Sequence, residues 1–120
     1  MRFLEIYGRA IDVVKELEKV SKTFMRKIPC MYVIWRDSDV IYVGSSEDCL
    51  ERLKRHFVYK NPSGSVFVKH WLKHFGSLSG IEDCFVIVFI YDNVLEAREE
   101  EVRAIRVLKP LFNIKFNRHK

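Results

Sequence analysis

The sequence is short of several things that define common protein classes. Its 120 residues hold three prolines, five glycines and no low-complexity stretch, which excludes a linker, a collagen-like repeat or a disordered chain as the main state. No apolar run approaches the roughly 18–20 residues of a membrane-crossing helix, and MRFLEIYGRA at the start lacks the apolar stretch of a secretion signal. There is no internal repeat, and two cores of half this length would each be marginal, so one main domain is expected. The three cysteines, Cys30, Cys49 and Cys84, are odd in number and include no C-x-x-C pair. Zinc-thiolate and disulfide frameworks both want paired spacing, so these read as three small buried hydrophobes in a reducing compartment. These absences lead to the expectation of a cytoplasmic protein with no membrane partner, nucleoid-associated or nuclear placement staying open.

What is present is charge, unevenly placed. Lys and Arg number 21 against 16 Asp and Glu, a net +5 with a pI near 9.2. Residues 45–76 carry six basic and three acidic side chains together with His56, His70 and His74. Residues 77–101 carry seven acids and one base, whereas 102–120 carry six bases and no acid. A basic middle and a basic tail are the footprint of polyanion binding. A solvated basic surface with no partner gives the same counts.

Residues 3–28 read as one amphipathic helix, with Ile6, Ala10, Val13, Leu17, Val20, Phe24 and Ile28 at helical spacing and Pro29 closing it. Nothing titratable interrupts that stripe, so residues 1–28 form an extension that docks on the rest of the domain, on a second copy, or on a partner protein. CMYVIW, the break RDSD and VIYVG then make a hairpin. Ser45-x-x-Asp48 signals a helix start, continued by Leu50, Leu53 and Phe57. NPSGS is a loop, residues 65–75 a helix ended by Gly76, CFVIVFIY (84–91) a central strand, and about 94–108 a last helix before Pro110. The fold class is α/β (α+β): a small three-stranded, mostly antiparallel sheet flanked by helices. Its main domain spans 29–115, and 116–120 form a basic tail.

Four positions carry possible chemistry. With a three-residue hairpin loop, Arg36–Ser38, Tyr32 lies directly opposite Tyr42; a two-residue loop makes them diagonal neighbours. Packing alone also accounts for both. Arg52 and His56, at i,i+4, share a helix face and either meet water or share an anion. Glu101 falls on the seam Val94, Ala97, Ala104, Leu108, where a carboxylate needs a cation, a donor or a metal; an ion pair at the core's edge would serve. Glu96, Glu99 and Glu100 point elsewhere. Asn113, in LKPLFN, suits a turn.

The order of these residues is more specific than any one of them. Met31-Tyr32-Val33 followed ten residues on by Ile41-Tyr42-Val43-Gly44 resembles the paired signature of the GIY-YIG nuclease family. YVGSSEDCLERLKRHF (42–57) is similar to that family's strand–turn–helix, with Arg52 ten residues after Tyr42 and His56 at a His or Tyr position. LEAREEEVRAIRVLKPLFN (95–113) resembles its terminal helix, with Glu101 at the metal-ligand position and Asn113 twelve residues beyond. The resemblance covers roughly residues 29–115. Cys30 replaces the opening glycine, Ser45 stands where some relatives carry lysine, and the NPSGS loop lacks a histidine found in others.

The resemblance implies a metal-dependent DNA endonuclease. Glu101 would hold one divalent cation, Mg²⁺ or Mn²⁺, which keeps most of its own waters. Arg52 would fork onto phosphate oxygens, Tyr32 would be general base with its pKa lowered by nearby cations, and Tyr42 would position water or phosphate. His56 would bond Tyr32 or the phosphate, Gly44 would support the motif's turn, and Asn113 would fix the metal shell or the terminal turn. Lys69, His70, Lys73 and the tail residues Lys115, Arg118 and Lys120 would track the backbone of duplex or branched DNA. Two other functions fit the same residues: a nucleic-acid-binding module that has lost catalysis, and a subunit of a larger complex joined through residues 1–28.

Overall fold

The computed structural model describes residues 2–116, with side chains from Leu4 to Ile114. The hairpin forms as the β-branched and aromatic runs direct. Cys30–Arg36 (β2) and Asp39–Ser46 (β3) pair antiparallel, and Arg36 faces Asp39 across a two-residue turn. Asp37 takes φ 55° there, a left-handed conformation that aspartate tolerates and tight hairpins require. A register shift between Ile34 and Trp35 then sets Ile34 opposite Tyr42 and Tyr32 opposite Gly44. The two tyrosines are therefore diagonal neighbours.

Phe85–Tyr91 (β4) is interior, as its apolar run requires, but its second neighbour is a strand that sequence reasoning made helical. Arg2–Arg9 (β1) pairs antiparallel with β4, so the sheet has four antiparallel strands in the order β1-β4-β2-β3, not three. The expected helix over 3–28 is corrected to this strand followed by Ala10–Phe24 (α1). Ile6, Ala10 and Val13 fit a helical period, yet exposed Glu5, buried Ile6 and exposed Tyr7 also alternate as a strand does. Tertiary pairing decides between them: β4 offers an open row of backbone donors and acceptors, and burying that row unpaired would be costly.

The sheet is covered on both faces. Toward one, Cys30, Tyr32, Ile34, Val86, Val88 and Ile90 meet Val13, Val14 and Leu17 of α1, with Leu53, Phe67 and Trp71 from Cys49–Lys54 (α2) and Val66–Phe75 (α3). Toward the other, Met31, Val33 and Val43 meet Ala97 of Val94–Leu108 (α4). Burying a Val- or Leu-sized side chain stabilises by about 1.5–3 kcal/mol, so α1, with four buried residues, is a constituent of the core. Asn93 caps α4 by accepting from the Glu96 N–H. A short helix, Leu111–Phe116 (α5), follows Pro110 where only a turn and tail were expected.

Two further local features differ from expectation. The helix begun at Cys49 winds into a π-helical turn over Arg55–Tyr59, which carries His56 and Phe57 inward. Cys30 and Cys49 are joined by a disulfide, their Cα atoms 5.6 Å apart, which corrects the reading of three free thiols. They stand 19 positions apart in sequence, but the hairpin returns the chain so that the start of α2 lies beside the start of β2. Cys84 remains a buried thiol, pushed up to about 12 by burial. Among the described residues, no helix is long and apolar enough to cross a membrane.

Candidate active site at the edge of the sheet

The site is built around Gly44. Tyr32 lies across the ladder from it, and a methyl group at position 44 would stand 2.5 Å from the Tyr32 hydroxyl oxygen. Glycine is thus required by the close approach of the ring. The fully buried Tyr32 hydroxyl meets His56 Nε2 at 2.8 Å, and the opposite ring nitrogen, Nδ1, meets Ser65 Oγ at 2.7 Å. Ser65 also caps α3, accepting the Val68 N–H at 3.0 Å. A serine in the NPSGS loop, which the sequence marked only as a connection, therefore anchors the histidine. Tyr42 completes the cluster, its ring centroid 6.3 Å from Tyr32 and 6.1 Å edge-on to His56.

Arg52 and His56 do not present one common face to water. The π-turn directs His56 into the core while Arg52, partly buried on α2, stays beside the tyrosines. The Arg52 Nε is buried and has no hydrogen-bond partner among the described residues. Glu101 comes from α4 on the other face of the sheet and reaches the same edge strand, accepting from Ser45 Oγ at 2.5 Å. Ser45 is thus the hydroxyl donor to the Glu101 carboxylate. Asn113 lies in α5 and not in a turn: buried, its amide accepts from Val43 N–H at 2.9 Å and donates to Val43 O at 3.0 Å. It closes the exposed edge of β3 as a partner strand would.

The electrostatics follow from burial. His56 is held down to about 3, first by burial and then by Arg52 and Arg55, so its imidazole is neutral at physiological pH. Tyr32 is held well above its ordinary value by burial, with Tyr42 and Glu101 adding to the rise and Arg52 opposing it. Tyr42 is pushed up to about 12 by burial and by Glu101. Tyr32 is thus a phenol at neutral pH in the free protein: Arg52 acts in the lowering direction expected of a cation, and burial outweighs it. That the Glu101 charge acts on both tyrosines shows how near α4 brings it to them.

The remaining predicted residues divide. Lys69 and Lys73 are exposed on α3, whereas His70 points inward, with its ring 6.0 Å from Phe112. Lys115, Arg118 and Lys120 lie outside the residues whose side chains are described. Glu101 is a solitary carboxylate: among the described residues, no group of three or more His, Cys, Asp or Glu side chains could hold a metal ion. One carboxylate beside an arginine fits a hard cation that keeps its own waters and takes substrate oxygens, and it does not fit zinc. A cavity of about 410 Å³ opens beside Tyr42 and His56, between α2 and the start of α3.

Compared with known proteins, the chain matches no family model, no curated protein and no solved structure.

Proposed function

We propose that this chain is a metal-dependent DNA endonuclease of the GIY-YIG type, hydrolysing a phosphodiester with water. The observation that carries the proposal is the meeting of Tyr32, Tyr42, Arg52, His56 and Glu101 at one edge of the sheet, from three helical elements and two strands. Hydrolysis of a phosphodiester needs a proton acceptor for water, cationic donors for the phosphate and stabilisation of the leaving oxygen. A divalent cation on Glu101 would supply Lewis-acid stabilisation of the phosphate and the leaving oxygen.

This chain's side chains supply the rest. Arg52, whose side chain lines the cavity, turns its guanidinium to the phosphate as a charged donor. Tyr32 need not exist as tyrosinate. As it takes a proton from the attacking water it gives its own to His56 Nε2, 2.8 Å away, and Ser65 holds the ring's far side. Burial first, then Arg52 and Arg55, disfavour a charged His56 in the free protein; a bound phosphate facing these arginines relieves the part due to them. Ser45 fixes the rotamer of Glu101, and exposed Lys69 and Lys73 supply salt-sensitive contacts to the DNA backbone.

The test is cleavage of supercoiled plasmid with Mg²⁺ or with EDTA, using wild type, Arg52→Ala and Glu101→Ala. Cleavage by wild type with Mg²⁺ alone, lost in both variants, is expected. Equal activity in all three would overturn the site assignment, and no cleavage by wild type on duplex, branched or single-stranded DNA would point to a binding module.

A further inference from the structure

A second cavity, of about 530 Å³, opens at the hairpin turn, where Arg36 and Asp39 share its wall with Phe75 and Leu108, the last residues of α3 and α4. The hydrolytic scheme uses none of its lining residues. The Arg36 guanidinium rests over aromatic rings, its carbon 4.4 Å from the Phe75 centroid and 5.7 Å from that of Trp71. Arg36 faces Asp39 in the hairpin ladder, yet among the described residues no ion pair joins them to each other or to a third group. Leu108 and Leu111, 40% and 37% exposed, add apolar surface to the same space.

These groups narrow the ligand. A phosphate would meet the free Asp39 carboxylate and the negative ends of two helices, so an anion is disfavoured. A purely apolar molecule would cover two charges without satisfying either. A flat ring system suits both the guanidinium plane and the leucines, provided that its edge donates hydrogen bonds to the carboxylate. Among the bases, only guanine carries two neighbouring donors on one edge, N1–H and the 2-amino group, which a carboxylate can accept as a pair. The cavity is of a size for a small planar ligand. It also lies near the first one: β3 runs from Tyr42 at that cavity to Asp39 at this one, a span of ~10 Å. Along a strand, that is about three nucleotides at ~3.4 Å each.

We infer that this second cavity takes a guanine base, out of the stack, from the strand whose phosphate occupies the first. The strand rests on the nuclease proposal; the base rests on the cavity. Asp39 reads the guanine edge and Arg36 carries its face, so the pocket sets which phosphate of the strand reaches Arg52. It positions substrate and takes no part in the chemistry.

Binding in EDTA separates this inference from cleavage. Fluorescence anisotropy would be measured with short single strands of thymine, with the same strands carrying one central guanine or one inosine, and with guanosine monophosphate as competitor. One guanine should tighten binding by wild type about tenfold over thymine alone, and inosine, lacking the 2-amino group, should lose most of that advantage. In Asp39→Asn, which removes one acceptor, and in Arg36→Lys, which keeps the charge but not the plane, the advantage should fall below about threefold. Equal binding of guanine and thymine strands by wild type would overturn the inference, as would an advantage untouched by inosine or by both substitutions. Guanosine monophosphate competing as strongly as the guanine strand would overturn the strand as the source of the base. Both substituted side chains are exposed, so the fold should persist, which circular dichroism checks. Cleavage by wild type without any guanine preference would refute this pocket alone; guanine preference without any cleavage would refute the nuclease proposal alone.

Discussion

A neutral histidine bonded on both sides organises the centre of the site, and its protonation has a measurable cost. His56 binds a proton near pH 3 when folded and near 6.5 when unfolded. Above 6.5 neither state is protonated there, and between the two values only the unfolded chain takes the proton, so stability falls as pH falls through that window. The unfolding free energy should drop by up to roughly 4 kcal/mol between pH 7 and 3.5 on account of His56, and His56→Gln should flatten that part of the curve in urea titrations. His70 is shifted in the same direction by burial, so the comparison of wild type with His56→Gln isolates the first histidine. At Gly44 the added methyl of alanine would collide with the Tyr32 hydroxyl. Gly44→Ala should destabilise by about 1–3 kcal/mol and should uncouple Tyr32 from His56, lowering any cleavage rate beyond what the stability loss explains. The identity of these residues was legible in the sequence, because their spacing is visible there. The role of Ser65 was not: a serine in a polar loop carries no mark of the ring it will hold.

Elements were legible where hydrophobic period and end signals agreed. Helix α4 is bounded as predicted because Asn93 caps its start and Lys109-Pro110 ends it, and the hairpin follows from two apolar runs around RDSD. The first segment misled because Ile6, Ala10 and Val13 satisfy both a helical and a strand pattern, and the deciding partner, β4, lies some eighty residues away. This changes what removal of the N-terminus should do. Deleting residues 1–9 would uncover the inner strand β4 along its whole length, and aggregation or a sharp loss of folded protein is expected in size-exclusion chromatography. Intact, monomeric protein after that deletion would contradict the place of β1 in the sheet. Asn113 performs the matching task on the opposite edge. Asn113→Ala leaves two buried backbone groups of Val43 unmatched and should cost about 1–3 kcal/mol, read as a shift in the urea midpoint without a change of slope. The disulfide was illegible for the same reason as β1: only the folded hairpin brings Cys30 and Cys49 together.

At the scale of the molecule, the net +5 resolves into structure. Part of the basic middle becomes the wall of a cavity, and the acidic stretch 77–101 ends on Glu101 at the sheet edge. The two meet where β3, the outer strand, passes between α2 and α4, so one edge strand places a cationic pocket and a lone carboxylate side by side. The disposition suits a substrate that is polyanionic and a cation that is hard, and it gives each of the five proposed residues a separate task. The most direct measurement is the single-turnover cleavage rate of one labelled DNA duplex in Mg²⁺ by wild type and by Glu101→Gln, with equal folding confirmed for both. The account predicts cutting by wild type and a rate at least about 100-fold lower for Glu101→Gln. Equal rates for the two proteins would contradict it.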